Sequence, residues 1–120
     1  MQKVLLIEDE PHIAEALSFL LSREGLSVET HANGADAAEV AQRARPDLVI
    51  LDVMLPNKSG FEILRELRGA PDTADLPVMM LTAKGQDKDR SRAEASGASM
   101  FMSKPFSNSE IIENVKRLLG

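Results

Sequence analysis

The chain has 120 residues, the size of one ordinary domain, and a domain of this size can bury a stable core without disulfides. It contains no cysteine, which excludes disulfides, thiolate metal sites and a cysteine nucleophile. Its 14 basic and 19 acidic residues give a net charge of −5, which argues against nucleic-acid binding through a basic face. The longest apolar run near the start, residues 4–7, is too short for a signal peptide or a membrane span. We therefore expect residues 1–120 to form a single soluble, cytoplasmic domain.

Five short segments are predicted to be β-strands. Three of them, residues 3–7, 47–51 and 77–81, are apolar runs bounded by polar or turn residues, which is typical of parallel strands buried on both faces. Two weaker candidates are residues 26–31, where apolar and polar side chains alternate, and residues 99–103.

The segments between these strands have the spacing of helices, and apolar residues share one face in four of them. The four faces are Ile13, Leu17, Leu20 and Leu21; Ala37, Val40, Ala41 and Ala44; Phe61, Leu64 and Leu67; and Ile111, Val115, Leu118 and Leu119. Segment 84–97 differs, because it is strongly charged and its apolar content inside a helix is mainly Ala93 and Ala95. Small side chains bury little area, so we predict a weakly anchored helix here, of the kind that suits a switching element.

Strand and helix alternate five times, which predicts an α/β fold with an open parallel sheet and helices on both faces. The carboxyl ends of such strands meet at one edge, where ligands bind. The residues that follow the strands are polar: Glu8, Asp9 and Glu10 after the first, Asp52 after the third, Thr82 after the fourth and Lys104 after the fifth. The pattern therefore predicts a cluster of carboxylates, one hydroxyl and one ammonium at that edge.

Crowded carboxylates resist ionising together, and Mg²⁺ relieves their repulsion. With a metal bound, Asp52 can act as a nucleophile toward phosphorus and form an aspartyl phosphate. Lys104 would then neutralise phosphoryl charge, and the Thr82 hydroxyl could donate a hydrogen bond. The first strand is followed by Glu8-Asp9-Glu10-Pro11 rather than by a glycine-rich turn, which argues against a nucleotide or flavin carrier.

Six short motifs occur in a fixed order along the chain. They are Val-Leu-Leu-Ile-Glu-Asp-Glu at 4–10, Pro-Asp-Leu-Val-Ile-Leu-Asp-Val-Met-Leu-Pro at 46–56, Ser-Gly at 59–60, Leu-Thr-Ala at 81–83, Gly-Ala at 97–98 and Lys-Pro-Phe at 104–106. In this order and spacing the chain resembles the receiver domain of two-component response regulators over essentially its whole length. The resemblance implies a flavodoxin-like, doubly wound (βα)₅ fold, as in chemotaxis receivers, with a five-stranded parallel sheet in the order 2-1-3-4-5.

The resemblance also implies the roles of individual residues at a metal-dependent phosphorylation site. Asp52 would be the phosphoacceptor. Asp9 would bind Mg²⁺ (or Mn²⁺) directly, with Asp52, with Glu8 acting partly through water and with the backbone carbonyl of Met54 as a further ligand. Lys104 would pair with the phosphoryl group.

A second set of implied roles concerns switching. Thr82 would move toward the phosphoryl group together with the loop to the fourth helix, and Phe101 occupies the aromatic switch position. The Lys104–Pro105 bond is expected to be cis. Taken alone, Thr82 fits a strand end or helix cap and Phe101 fits a core residue. His12 and His31 are interpreted as surface residues without a partner, with no part in phosphotransfer.

The implied function is that of a phosphoacceptor in a two-component phosphorelay, a signalling switch rather than an enzyme. A sensor histidine kinase or phosphotransfer protein would supply the phosphoryl group. The surface formed by helix 4, strand 5 and helix 5 would then act on an output domain or downstream protein. We expect no direct contact of this chain with nucleic acid and no membrane association.

The chain departs from the pattern of receivers that dimerise through that surface. Ser99 and Met100 stand where two acidic residues are common, and Asn114 stands where a pairing arginine is expected. Arg90 and Glu110, which resemble another pair of that dimer face, are present. These departures argue against a symmetric dimer through this surface.

Two further functions stay open at this stage. One is a receiver-like docking module that acts without phosphorylation, although the set of Asp9, Asp52, Thr82 and Lys104 is intact. The other is a Mg²⁺-dependent phosphatase that forms an aspartyl phosphate. Such enzymes typically carry Asp-x-Asp, whereas this chain has Asp52-Val53-Met54.

Overall fold

The computed structural model describes residues 1–82 and 87–120, and within them five strands alternate with five helices. The strands are β1 (Lys3–Ile7), β2 (Ser27–His31), β3 (Leu48–Asp52), β4 (Val78–Thr82) and β5 (Met100–Ser103). The helices are α1 (Pro11–Ser22), α2 (Ala37–Ala44), α3 (Gly60–Gly69), α4 (Asp87–Ala95) and α5 (Asn108–Leu119). Each predicted strand is present, and its bounds differ from the prediction by no more than one residue.

The strands form one parallel sheet in the order β2-β1-β3-β4-β5, which confirms the predicted flavodoxin-like arrangement. Because side chains alternate along a strand, each strand supplies both faces of the sheet. In β1, Leu5 and Ile7 pack with α2, α3 and Ala93, whereas Val4 and Leu6 pack with α1 and α5. The central strands are therefore buried on both sides, which holds their carboxyl ends at fixed relative positions.

The start of α5 is fixed directly after the fifth strand by a capping box. The Ser107 hydroxyl accepts a hydrogen bond from the Glu110 N–H at 3.1 Å, and the Glu110 carboxylate accepts one from the Ser107 N–H at 3.4 Å. The box satisfies two backbone donors that the first turn of a helix leaves free. It thereby fixes the position of the segment that connects Lys104 to α5.

The predicted helix in segment 84–97 is present over Asp87–Ala95. Among its side chains from Arg90 onward, Ala93 is buried and Ala95 is exposed, so one of the two expected apolar contacts is made. Two arginines add contacts instead: the guanidinium of Arg90 lies 5.4 Å from the centre of the Phe101 ring, and that of Arg92 lies 4.2 Å from the centre of the Phe61 ring. The expected loop between Thr82 and this helix, residues 83–86, lies outside the described residues.

One expectation about the histidines is wrong. The Nε2 atom of His31 lies 2.7 Å from Oδ1 of Asp36, so His31 has an acidic partner at the start of α2. This hydrogen bond lowers the pKa of Asp36 below its ordinary value. Over 1–82 and 87–120, no helix has the length and apolar character needed to cross a membrane.

Candidate metal and phosphorylation site

The carboxyl ends of β1, β3 and β5 bring together four of the predicted site residues. Glu8 and Asp9 follow β1, Asp52 ends β3 and Lys104 follows β5. Glu8, Asp9 and Asp52 each offer a carboxylate oxygen within 4.8 Å of the others. Glu8 and Asp52 are buried, whereas Asp9 is exposed, so the cluster opens to solvent on the Asp9 side.

Lys104 bridges the two buried carboxylates. Its Nζ atom lies 3.1 Å from Oε1 of Glu8 and 3.1 Å from Oδ2 of Asp52. Burial disfavours the charged ammonium, but hydrogen bonds and attraction from Asp52 and Glu8 outweigh it and raise the pKa of Lys104 above its ordinary value. The ammonium therefore stays charged beside the carboxylates.

Glu8 is the most perturbed acid of the site. Burial, followed by its interaction with Asp52, raises the pKa of the Glu8 carboxyl from an ordinary value of 4.5 to about 7. Its Oε2 atom accepts a hydrogen bond from the Glu10 N–H at 3.1 Å, which partly offsets this effect. A buried carboxyl that resists ionisation next to two others is one whose charge a divalent cation would stabilise.

Asp52 is held from its own loop as well as by Lys104. The Met54 N–H donates to Oδ1 of Asp52 at 3.0 Å, and Met54 itself is 72% exposed. The Gly60 N–H donates to the Val53 carbonyl at 2.9 Å, and a Cβ atom on Gly60 would overlap the carbonyl oxygen of Asp52. Sequence reasoning missed both contacts, although the Ser-Gly motif at 59–60 is the signal that could have indicated the close approach of α3.

Thr82 ends β4, the strand that lies between β3 with Asp52 and β5, which leads to Lys104. Its side chain is fully buried, and its Oγ1 atom has no hydrogen-bond partner among the residues that the structure describes. Its carbonyl accepts a hydrogen bond from the Lys104 N–H at 2.8 Å, so the backbones at the ends of β4 and β5 are joined. A buried hydroxyl without a partner carries a cost that a new acceptor would remove.

Phe101 is buried among the core residues beneath α4 rather than turned to solvent. The Arg90 guanidinium covers its ring, a contact that the sequence analysis did not predict. The Lys104–Pro105 peptide bond is cis. Phe101 thus lies between the helix α4 and the sheet, on the same strand that leads to Lys104.

The residues fit a hard divalent cation. Mg²⁺ takes oxygen ligands, usually one or two carboxylates with waters and phosphate oxygens, and the three clustered carboxylates offer such atoms at the open side of the site. Met54 lies two residues beyond Asp52 on the same loop, and its N–H is bound to the Asp52 carboxylate, so its carbonyl belongs to the loop beside the cluster.

The (βα)₅ sheet with this cluster at its carboxyl edge defines a class of protein. The family described as response regulator receiver domain matches residues 4–116, and this chain belongs to that family. This confirms the resemblance inferred from the motifs.

Individual relatives agree with this membership. The phosphate regulon transcriptional regulatory protein PhoB of Rhizobium meliloti (strain 1021) is 42% identical over 119 residues, which are 99% of this chain and 52% of that protein. The signal receiver domain of a signal transduction histidine kinase from Syntrophus aciditrophicus has a TM-score of 0.91 at 36% identity, covering 99% of this chain and 90% of that one. The receiver domain of a sensor histidine kinase from Pseudomonas aeruginosa, with a magnesium ion coordinated in its active site cleft, has a TM-score of 0.91 at 30% identity, covering 99% and 98%.

The chain spans about half the length of the curated relatives it matches. Those relatives are transcriptional regulators, and the matching solved structures include receiver domains of histidine kinases. The shared part is therefore the receiver, which occurs in proteins of more than one kind.

Proposed function

We propose that residues 1–120 act as a single phosphoacceptor receiver domain of a two-component phosphorelay, with Asp52 as the phosphorylated residue. The observation that carries the proposal is the position of Asp52: buried at the end of β3, within reach of two carboxylates and bonded to Lys104 at 3.1 Å. The proposal is supported by membership of the receiver family and by the 42% identity to a response regulator.

Glu8, Asp9, Asp52 and the Met54 carbonyl would hold Mg²⁺ (or Mn²⁺), which would balance the charge of the carboxylates and of the incoming phosphoryl oxygens. The magnesium ion in the similar histidine kinase receiver supports this assignment. The exposed Asp9 gives the cluster its open side.

The chemistry of this chain's residues follows from the geometry. A carboxylate oxygen of Asp52 forms a bond to phosphorus, and the bond from phosphorus to the donor's leaving group breaks, with the electron pair going to that group. Lys104, already 3.1 Å from the Asp52 carboxylate, stabilises the added negative charge. No side chain other than Asp52 becomes covalently modified, so the domain acts as a switch that assists its own phosphorylation.

Thr82 and Phe101 would carry the change to the surface. The Thr82 hydroxyl would gain an acceptor in a phosphoryl oxygen, which favours a position of the strand end nearer Asp52. The ring of Phe101 and the helix α4 would then adjust together, since Arg90 covers that ring. The two arrangements would differ by a small free energy that phosphorylation reverses.

The partners follow from the class of protein. A histidine kinase or a phosphotransfer protein would donate the phosphoryl group, and the surface of α4, β5 and α5 would act on an output domain or protein. The transcriptional regulators among the relatives support an output domain that acts on DNA, joined to this receiver in a longer chain. The net charge of −5 supports leaving DNA contact to that domain.

A symmetric dimer through α4, β5 and α5 is not part of the proposal. Arg90 and Glu110 resemble a residue pair of such an interface, but both make contacts within this chain. Arg90 covers the Phe101 ring, and Glu110 belongs to the capping box of α5. Ser99 accepts a hydrogen bond from the Val78 N–H at 3.0 Å, so the residue in the acidic position is used to start β4.

Intact-mass measurement after incubation with Mg²⁺ and acetyl phosphate tests the proposal. The wild-type chain is expected to gain one phosphoryl group, and the gain should vanish in Asp52→Asn and in excess EDTA. Asp47→Asn is a matched control, because Asp47 lies at the opposite end of β3 and is exposed; this variant should be phosphorylated like the wild type.

The other outcomes separate the remaining functions. Mg²⁺ binding without any mass gain, even with a panel of histidine kinases, would favour a docking module that acts without phosphorylation. Continuous release of phosphate from small phosphate esters would favour the phosphatase. A mass gain that persists in Asp52→Asn would show that Asp52 is the wrong nucleophile.

A further inference from the structure

The loop between β2 and α2 packs against the loop that carries Met54. Gly34 of the first loop is buried, and its N–H donates to the Pro56 carbonyl at 3.4 Å. A Cβ atom on Gly34 would lie 2.5 Å from the Lys58 carbonyl oxygen and 3.1 Å from that of Pro56. Gly34 does not have a positive φ. The close approach of the other backbone, and not an unusual conformation, therefore requires glycine at this position.

A side-chain hydrogen bond joins the same two loops nearby. Oδ1 of Asn33 accepts from the Asn57 amide at 3.1 Å and from the Ala35 N–H at 2.8 Å. Asn57 has a φ of 70°, a conformation that asparagine tolerates better than most residues. We call the contacts of Asn33 and Gly34 with Pro56, Asn57 and Lys58 the loop clasp.

The loop clasp contacts residues 56–58 of segment 53–59, and a second close contact lies where the two ends of the segment meet. There the Gly60 N–H donates to the Val53 carbonyl at 2.9 Å, and Gly60 leaves no room for a Cβ against the backbone of Asp52. The segment that carries Met54 is thus held by close backbone contacts at residues 56–58 and at its two ends. A change in the clasp would be transmitted to the backbone around Met54, because protein interiors are close-packed.

We propose that the loop clasp positions the metal-binding loop, so that Gly34 and Asn57 set the affinity of the site for Mg²⁺ without touching the ion. The inference rests on the proposed function, in which the Met54 carbonyl and Asp52 hold that ion. Groups behind the ligands of a metal commonly change its affinity about 10- to 100-fold when they are altered. Gly34 and Asn57 are positioning residues in this sense, since each acts through the backbone between Asp52 and Gly60.

Three variants test the clasp. Gly34→Ala places a methyl group against the Lys58 carbonyl, and Asn57→Gly keeps the positive φ accessible while it removes the amide bound to Asn33. Gly69→Ala is the matched control, because no atom lies within 4 Å of a Cβ built there. For each variant, Mg²⁺ affinity is measured by calorimetric titration at constant pH, and unfolding by urea is measured in EDTA.

We expect Gly34→Ala to weaken Mg²⁺ binding about 10-fold and Asn57→Gly to weaken it a few-fold, whereas Gly69→Ala binds like the wild type. Phosphorylation of Asp52 in Gly34→Ala should then need a correspondingly higher Mg²⁺ concentration and approach the wild-type rate at saturation. A purely structural role would lower stability in EDTA and leave the Mg²⁺ dissociation constant unchanged.

The outcomes also separate this inference from the proposed function. If wild type and Gly69→Ala bind Mg²⁺ and are phosphorylated, but Gly34→Ala binds Mg²⁺ with the wild-type constant, the positioning role is refuted and the receiver function stands. If Gly34→Ala does not fold, the test rests on Asn57→Gly, because the Asn57 side chain is exposed and its removal should not prevent folding. Wild-type affinity for Mg²⁺ in Asn57→Gly would equally refute the positioning role. A wild-type chain that neither binds Mg²⁺ nor is phosphorylated would instead overturn the proposed function.

Discussion

Two parts of the site differ in how their buried polar atoms are paired. At the ends of β1, β3 and β5, which we call the completed side, every carboxylate oxygen of Glu8 and Asp52 accepts a hydrogen bond from Lys104 or from a backbone N–H. At the end of β4, the strand between β3 and β5, the buried hydroxyl of Thr82 has no partner within the described part of the chain, and we call this part, with α4, the incomplete side. The first side is complete before any phosphoryl group arrives, because the oxygens of its two buried carboxylates are paired. The second side is left incomplete in a way that phosphorylation could complete.

The helices α3 and α4 differ in the same way, because α3 is anchored by more buried apolar side chains than the described part of α4. The helix α3, which begins next to the Asp52 loop, buries Phe61, Ile63, Leu64 and Leu67. In α4, Ala93 is the buried side chain among Arg90–Ala95, and the guanidinium groups of Arg90 and Arg92 lie over aromatic rings. Burial of large apolar side chains contributes far more than burial of a methyl group, so residues 90–95 anchor α4 less firmly than the apolar residues of α3 anchor that helix.

The largest expected effect comes from removing Lys104, which would break the completed side. Lys104→Met leaves Glu8 and Asp52 buried without their cation, and we expect a loss of about 4 kcal/mol in the free energy of unfolding at pH 8. The loss should shrink at pH 5.5, where a carboxyl can take up a proton, and on addition of Mg²⁺. Urea denaturation followed by circular dichroism measures it.

Lys58→Met is the matched control for this change. Lys58 has the same side-chain exposure as Lys104, 23%, but its partner Glu66 is 45% exposed whereas Asp52 is 7% exposed. Surface ion pairs contribute about 0–1 kcal/mol, so this variant should lose little. Equal losses in the two lysine variants would show that the buried carboxylates do not depend on Lys104.

The second effect is a pH dependence that originates at Glu8. Because burial raises the pKa of the folded Glu8 carboxyl from 4.5 to about 7, the folded chain holds this proton more tightly than the unfolded chain. Stability from this group is complete below pH 4.5 and is lost as the pH rises through about 7. The loss amounts to about 3 kcal/mol, since one pKa unit corresponds to about 1.4 kcal/mol.

Comparison of the wild type with Glu8→Gln in EDTA measures this pH dependence. The glutamine variant should gain stability relative to the wild type between pH 5 and pH 8, because it has no proton to lose. Glu66→Gln, at an exposed surface pair, should keep a constant difference from the wild type. If the difference in free energy of unfolding between the wild type and Glu8→Gln is the same at pH 5 and pH 8, the pH dependence does not originate at Glu8.

The incomplete side is tested by Thr82→Val, which removes the unpaired hydroxyl at nearly constant volume. We expect the free energy of unfolding of the unphosphorylated variant to exceed that of the unphosphorylated wild type by about 1 kcal/mol, because the substitution removes a buried hydroxyl that has no partner. The same variant should respond less to phosphorylation, measured as the change in stability between the unmodified chain and the acetyl phosphate-treated chain.

Thr73→Val is the opposite case in the same fold. Thr73 is also buried, but its hydroxyl donates to the Leu67 carbonyl at 2.5 Å, so its removal leaves that carbonyl with only the longer hydrogen bond from the Ala70 N–H, at 3.4 Å. We expect this variant to lose about 1–2 kcal/mol, the reverse of the Thr82 change. If both threonine variants shift stability in the same direction, the Thr82 hydroxyl has a partner in solution.

The elements and their order could be predicted from the sequence, because buried parallel strands and amphipathic helices leave periodic patterns. The site could also be anticipated, since topology alone brings the residues after β1, β3 and β5 to one edge. The contact of Gly34 with the backbone of Pro56 and Lys58 could not, because it depends on how two loops that are distant in the chain pack. The missing partner of Thr82 is likewise a property of the packed state.

The smallest expected effects concern the arginine contacts of α4. A cation over an aromatic face contributes about 0.5–1 kcal/mol at an exposed site. The contact of Arg92 with Phe61, at 4.2 Å from the ring centre, should exceed that of Arg90 with Phe101, at 5.4 Å. Together they would contribute about as much to the attachment of α4 as the buried methyl group of Ala93.

Double-mutant cycles isolate these contacts from the packing of the rings. Arg92→Ala is combined with Phe61→Leu, and Arg90→Ala is combined with Phe101→Leu, and the coupling energy is obtained from urea denaturation. We expect couplings below about 1 kcal/mol in both cycles, with the Arg92 cycle the larger. Couplings above 2 kcal/mol would mean that α4 is held as firmly as α3, and the contrast between the two sides of the site would then rest on Thr82 alone.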